Sequence, residues 1–279
     1  MIEKIYPKKY SNAYAEHEPQ VNDFAMVFSK NKVLILEENG QKRLPKFKDM
    51  PVDLLQNSKC QFLFAIDDEN FFLLNDVDLG FTSDEKWQWA DQMVNRGELV
   101  DYEAFGCITA FQLNRWYNAN KFCGGCGGKM VVSQKERALI CSDCGKIVYP
   151  RINPAVIIAV HNGNKLLLTK YARGTYRRYS LVAGFVEIGE TFEECVAREV
   201  MEEVGLKVKN IKYFGSQPWS FSDSIMIAFT CEVDGDDIIT LEKEELAVAE
   251  WFTKEELPEN ALSSVSIASE LMQDFVDKH

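Results

Sequence analysis

The segment "CGGCGGKMVVSQKERALICSDC", residues 123–144, restricts this chain more than any other. Its pattern is C-x2-C, fourteen intervening residues, C-x2-C, formed by Cys123, Cys126, Cys141 and Cys144. Each pair sits at a glycine-containing turn that can aim two thiolates at one tetrahedral ion. Between them, "KMVVSQ" and "RALIC" read as two short strands of a hairpin. A single C-x-x-C would fit a redox pair or unrelated thiols equally well. Two pairs at this separation favour one structural Zn²⁺ per subunit, close to zinc-ribbon spacing. Four cysteine ligands leave no open position for substrate, so this metal serves folding and not chemistry.

The chain is 279 residues long, enough for about two domains and a substantial core. Its formal charge of −12 argues against nucleic-acid binding through a broad basic surface. A small anion in a metal-filled pocket stays compatible with that balance. The first residues, "MIEKIYPKKY", lack the apolar centre of a signal peptide. No run approaches the ~18 apolar residues of a membrane span. A cytoplasmic protein with no membrane partner is expected. The scattered Cys60, Cys107, Cys195 and Cys231 are expected to be small buried apolar residues.

Three parts are expected. Residues 1–118 carry short apolar runs such as "NDFAMVF", "KVLILEE" and "CQFLFAI", the pattern of a mixed, β-rich domain. Within it "SDEKWQWADQMVN" and "EAFGCITAFQLNRWYNAN" read as helices, with Trp87, Trp89 and Trp116 in the core. Residues 119–149 form the ribbon. Residues 150–279 are of α+β or α/β class, with "AVIIAVHN" and "KLLLTKYA" hinged at "NGN". There "TFEECVAREVMEEVG" has the apolar spacing of an amphipathic helix, with Thr191 and Glu194 as a capping box and Gly205 as its stop. "SVSIASELMQDFVDKH" reads as a terminal helix.

On the acidic helix, Glu199, Glu202 and Glu203 are three and four positions apart, spacings that predict one shared face. Like charges so placed destabilise a helix, and more so near its electronegative C-terminus. A solvated face accepts that cost without a gain; a divalent cation reverses it. Arg198 and Glu202 form an i, i+4 pair that can fix one carboxylate.

The sequence from Gly184 through Glu190, Arg198-Glu199, Glu202-Glu203 and Gly205-Leu206 reads G-x5-E-x7-R-E-V-x-E-E-x-G-L. Over 23 residues it resembles the Nudix box in every fixed position. The resemblance implies an α/β/α sandwich over residues 150–279 that binds Mg²⁺ or Mn²⁺ and hydrolyses a diphosphate. Glu199 and Glu203 would hold metal, joined by the carbonyl of Ala183 and by Glu245, six residues before Trp251. Arg198 and Glu202 would complete the catalytic set.

The ribbon, the linker "VYPRINPAVI" and "SQPWSFSDS" eleven residues after Gly205 narrow the likeness to the NADH pyrophosphatase subfamily of Nudix hydrolases. That subfamily's loop reads S-Q-P-W-P-F-P-x-S; here Ser220 and Ser222 replace the later prolines. The resemblance implies hydrolysis of NADH or NAD⁺, and by the same cut removal of NAD caps from RNA 5′ ends. It places substrate against Glu136, Tyr149, Phe185, Ala268 and the run Gln217, Pro218, Trp219, Ser220, Phe221, Ser222, Asp223 and Ser224. It also implies a homodimer in which aromatic rings from two subunits grip one substrate. Two alternatives stand beside it: a Nudix hydrolase for another dinucleotide or nucleotide sugar, and a silent ligand-sensing or nucleic-acid-binding module.

Overall fold

Alternating and continuous apolar runs in the first half form strands, and the longest amphipathic stretch forms a helix. The computed structural model describes all residues except 16, 53–57, 78–79, 81, 83–84, 92–97, 174–177, 259–261 and 263–265. The chain divides into two compact units, residues 2–151 and residues 152–279, with Met1 grouped with the second.

In the first unit the strands are β1 (Tyr10–Ser11), β2 (Phe24–Met26), β3 (Phe28–Ser29), β4 (Lys32–Glu38), β5 (Gln41–Arg43), β6 (Lys59–Ile66), β7 (Glu69–Asn75) and β8 (Trp87–Asp91). They form two four-stranded sheets: β1-β6-β7-β2, and β3-β4-β5 with β8 paired to β4. Helix α1 (Asp101–Ala119) follows, then the ribbon strands β9 (Met130–Val132), β10 (Leu139–Cys141) and β11 (Ile147–Val148) in one antiparallel sheet. Phe64 and Phe71 stack at 4.7 Å in the core that α1 covers. Cys123, Met130, Leu139 and Cys141 join the same core, so the ribbon is anchored by apolar contact as well as by its thiols.

Two expectations change here. Trp87–Asp91 is a strand and not part of a helix; the flanking residues of that expected helix fall partly outside the described ones. Strand geometry suits Trp-Gln-Trp-Ala because it buries Trp87 and pairs the run with β4 along five positions. Cys60 is exposed near the start of β6, while Cys107, Cys195 and Cys231 are buried. Trp87 and Trp116 are core residues, and Trp89 packs against the core.

The second unit contains β12 (Asn153–Asn162), β13 (Lys165–Tyr171), β14 (Val182–Phe185), α2 (Phe192–Val204), β15 (Val208–Trp219), β16 (Ser224–Val233), β17 (Leu246–Phe252) and α3 (Ile267–Lys278). The sheet order is β15-β16-β12-β13-β17, with β14 beside the first half of β12. β12 runs parallel to β16 and is buried on both faces, which is why its sequence is a continuous apolar run. Val156, Ile158 and Val160 meet Val196, Val200 and Val204 of α2. Ile157 and Ala159 face the other way, onto Leu271, Met272 and Phe275 of α3. A helix on each face of one sheet gives the expected α/β/α sandwich. No helix among the described residues is long and apolar enough to cross a membrane.

The four ribbon thiols come together as their spacing predicts, with all Sγ atoms within 4.8 Å of one another. Cys123 and Cys144 Sγ are 3.7 Å apart, Cys126 and Cys141 Sγ 3.5 Å. A tetrahedral ion with ~2.3 Å zinc–sulfur bonds needs sulfurs about 3.8 Å apart, so the set fits Zn²⁺. The two knuckles match: Gly127 N–H donates to Cys123 O at 2.9 Å, and Gly145 N–H to Cys141 O at 3.0 Å. Backbone N–H groups of Gly125 and Cys126 favour the Cys123 thiolate, lowering its pKa to about 6. Cys123→Ser is expected to lower bound zinc below one per chain and Tm by roughly 10 °C, because such binding energy is folding energy. Metal analysis and a thermal melt of the purified variant check this; full zinc and an unchanged melt would refute the structural assignment.

Candidate active site

The acidic helix α2 begins as its sequence dictates. Thr191 Oγ1 accepts from Glu194 N–H at 3.2 Å, and Glu194 Oε2 accepts from Thr191 N–H at 2.7 Å. Cys195, Val196, Val200 and Val204 bury one stripe, and this fixes where the charged residues point. The expectation that three glutamates share one face is only partly met. Glu199 and Glu203 are 9% and 4% exposed, whereas the Glu202 side chain is 59% exposed. At about 100° per residue, Glu202 cannot follow Glu203 inward.

Arg198 joins the parts of the site. Its Nε and Nη2 pair with both oxygens of Glu190 at 3.0 and 2.6 Å. Its Nη1 reaches Glu199 Oε1 at 2.7 Å and Glu202 Oε2 at 3.0 Å. Nη2 also donates to the carbonyl of Phe185 at 3.0 Å, so one guanidinium ties the loop after β14 to the helix. The pairing with Arg198 holds Glu190 down to about 2, aided by the N–H of Glu187. Glu190 was legible as a fixed position of the box, but its role as the Arg198 anchor was not assigned from sequence.

Glu203 has the opposite environment. Burial, then the charges of Glu199, Glu245 and Glu202, push its pKa up to about 8. Its Oε2 is buried without a hydrogen-bond partner. Burial also raises Glu199, against the pull of Arg198. A carboxylate in this state is stabilised by a proton or by a cation. The strand beside it is shaped to match: a Cβ at Gly184 would coincide with the Glu199 carboxylate. Any side chain there would displace the helix or the glutamate. Ala183, adjacent on β14, is partly buried and pairs with Ile157. These donors are hard oxygens in a crowded, under-neutralised pocket, which suits a divalent ion. They are not drawn as close as the thiols, which are the one potential metal cluster among the described residues with ligand atoms within 4.8 Å.

Glu245 lies in the turn before β17, exposed, with its charge felt by both Glu199 and Glu203. The structure thus brings Glu199, Glu203 and Glu245 into one electrostatic group. Glu242, which sequence alone would leave as surface charge, accepts from the N–H groups of Glu244 and Glu245.

The expected substrate loop is the β15–β16 hairpin. Pro218 is exposed, Trp219 and Phe221 are half-buried with ring centroids 5.0 Å apart, and Asp223 takes a left-handed φ of 55°. Gln217 is fully buried, and its Oε1 accepts from Ile267 N–H at 2.9 Å, tying β15 to the first turn of α3 beside Ala268. Ser220 and Ser224 are buried as well. Ser222 N–H donates to Trp219 O at 3.3 Å and Ser222 Oγ meets Ser224 Oγ at 3.0 Å. A proline at 222 has no such N–H. Phe185 is 53% exposed. In the first unit Tyr149 is 55% exposed, and its hydroxyl donates to Glu136 Oε1 at 3.1 Å.

Comparison with known proteins agrees with this geometry. Residues 151–275 match the NUDIX domain family, and residues 118–149 match the NADH pyrophosphatase zinc ribbon domain. The chain is 43% identical over 168 residues to the NAD-capped RNA hydrolase NudC of Vibrio atlanticus, covering 60% of this chain and 62% of that protein. It is 46% identical over 147 residues to the protein of the same name from Shigella flexneri, covering 53% and 57%. The chain therefore spans about six-tenths of the length of these relatives. A Nudix hydrolase crystal structure from Nitrosomonas europaea superposes with a TM-score of 0.50 at 25% identity, over 57% of this chain and 92% of that one. The box, the sandwich and the ribbon together show a Nudix domain over residues 151–275, with a zinc ribbon of the NADH pyrophosphatase type, residues 118–149, ahead of it.

Proposed function

We propose that the chain adds water across the pyrophosphate of NADH or NAD⁺, yielding nicotinamide mononucleotide and AMP, and that the same cut removes NAD caps from RNA 5′ ends. The observation that carries this reading is the buried, unpartnered Glu203 Oε2, grouped with Glu199 and Glu245 beneath a loop that Arg198 fastens. Mg²⁺ or Mn²⁺ held by Glu199, Glu203, Glu245 and the Ala183 carbonyl would neutralise the diphosphate and activate water. Arg198 keeps Glu199 in one orientation, and Glu202 balances its charge on the outer side. The exposed faces of Phe185 and Tyr149 suit a nicotinamide or adenine ring, Tyr149 with Glu136 serving the neighbouring site of a cytoplasmic homodimer. Pro218, Trp219, Phe221, Ser222 and Asp223 would line the substrate. Buried Gln217, Ser220 and Ser224 would shape that lining, Gln217 through the helix that carries Ala268. In this division residues 150–279 carry the chemistry, 119–149 the structural zinc, and 1–118 support the assembly. The names of the relatives support the NAD substrates, and a single 5′ nucleotide entering a pocket does not require a basic surface.

Side-by-side hydrolysis of NADH, NAD⁺, ADP-ribose and a dinucleoside polyphosphate with Mg²⁺ or Mn²⁺ tests the substrate. Mononucleotide and AMP from NADH are expected as products; another substrate favoured by orders of magnitude would refute the choice and point to the Ser220–Ser222 loop. Glu203→Gln is expected to lower turnover at least about 100-fold with the zinc retained; turnover within a few-fold of the parent would remove Glu203 from the metal set.

Glu203 also predicts a pH dependence. Its folded pKa of about 8 lies above the ordinary carboxylate value of about 4.3, so between these values the folded chain holds more protons than the unfolded one. Its contribution therefore makes the Mg²⁺-free protein less stable as pH rises across that window. Glu203→Gln is expected to raise Tm in Mg²⁺-free buffer at pH 8 by several degrees, at roughly 2–4 °C per kcal/mol, and by little at pH 5. Parallel melts at the two pH values decide it; an equal shift at both would mean that ionisation of Glu203 is not the cause.

A further inference from the structure

We propose that Glu242 is a positioning residue that folds the turn carrying Glu245 and fastens it to the end of the acidic helix. This rests on the reading of Glu199, Glu203 and Glu245 as the metal-holding group. The last carbonyls of a helix have no partner within it and must find one outside. In α2, Met201 O receives Gly205 N–H at 3.0 Å. Two more are taken by an incoming segment: Thr240 N–H reaches Val204 O at 2.8 Å, and Glu242 N–H reaches Glu203 O at 2.9 Å. The approach is close, since a Cβ on Gly205 (φ 71°) would stand 2.7 Å from Thr240 Cβ. Glu242 is thus bonded through its backbone to the same residue whose buried Oε2 lacks a partner.

The Glu242 side chain shapes the turn itself. One oxygen, Oε2, accepts from both Glu244 N–H and Glu245 N–H at 2.8 Å, and Leu246 N–H returns to the carbonyl of Glu242 at 3.0 Å. The carbonyl of Glu245 receives Ala172 N–H at 2.8 Å, so the turn is pinned on its far side too. Charge-assisted bonds to two successive N–H groups leave the Glu245 backbone little freedom. Its side chain therefore stays within electrostatic reach of Glu199 and Glu203 although it is exposed. Glu242 contacts neither substrate nor ion; it sets the spacing of groups that do.

The test compares Glu242→Ala, Glu242→Gln, Glu245→Gln and the double variant Glu242→Ala/Glu245→Gln, each first shown to hold one zinc per chain. Amide hydrogen exchange in the protein free of Mg²⁺ and Mn²⁺, Mn²⁺ binding, and kcat and KM for NADH are measured. In Glu242→Ala the amides of Glu244 and Glu245 are expected to exchange at least about tenfold faster. Mn²⁺ affinity and kcat fall about 10–100-fold, with KM little changed. Glu242→Gln, which keeps an acceptor oxygen, recovers part of each loss and covers the case in which the alanine variant folds poorly. The double variant is no worse than Glu245→Gln, because Glu242 acts through Glu245. Unchanged exchange with unchanged Mn²⁺ affinity, or a double variant that multiplies the two single losses, overturns the proposal. Normal turnover by Glu245→Gln would instead refute the assignment of Glu245, while exchange and Mn²⁺ binding still judge Glu242.

Discussion

The guanidinium of Arg198 holds the site in the form described. Three carboxylates and a backbone carbonyl converge on it, tying the end of β14 and the loop after it to the acidic helix. A lysine has a single ammonium and cannot reach these acceptors in the same planar arrangement. The consequence is an uneven distribution of charge. Glu190, Glu199 and Glu202 share one cation, and Glu203 is left with none. The crowding is not a defect of packing, because the apolar stripe of Val196, Val200 and Val204 leaves the helix no other rotation.

How much of this could be read from the sequence depends on whether the information is local. The capping box at Thr191 and the stop at Gly205 were legible because each is decided within four residues. The ribbon was legible because a metal set fixes spacing and residue type together. β12 was legible as a strand because burial on both faces leaves only apolar residues. The run around Trp87–Asp91 suggests a helix, whereas it forms a strand. Its pairing with β4, some fifty residues earlier, decides its geometry and leaves no trace in local periodicity.

The site obeyed the same rule. Glu199, Glu203 and Arg198 stand out by spacing and type; the two glutamates are buried, and Arg198 reaches Glu199 from a partly exposed position. Glu202 turned outward for a reason visible only once the apolar stripe is placed against β12. Gln217 is expected to line the substrate, yet its side chain is fully buried and bonded to the first turn of α3, fifty residues away. Glu242 had no sequence signature at all. Its meaning comes from the carbonyls of α2, which only the tertiary fold brings opposite it.

The hairpin between β15 and β16 has one further consequence. Where the related loop carries prolines, this one carries Ser222, whose N–H and hydroxyl are both engaged. Proline narrows a loop's conformers at every temperature, because the restriction is covalent. Hydrogen bonds restrain it through enthalpy, a restraint that weakens as the protein warms. Part of this loop's order therefore rests on bonds that heating weakens. Its order is a thermal variable here, where a proline-bearing loop would make it nearly a constant.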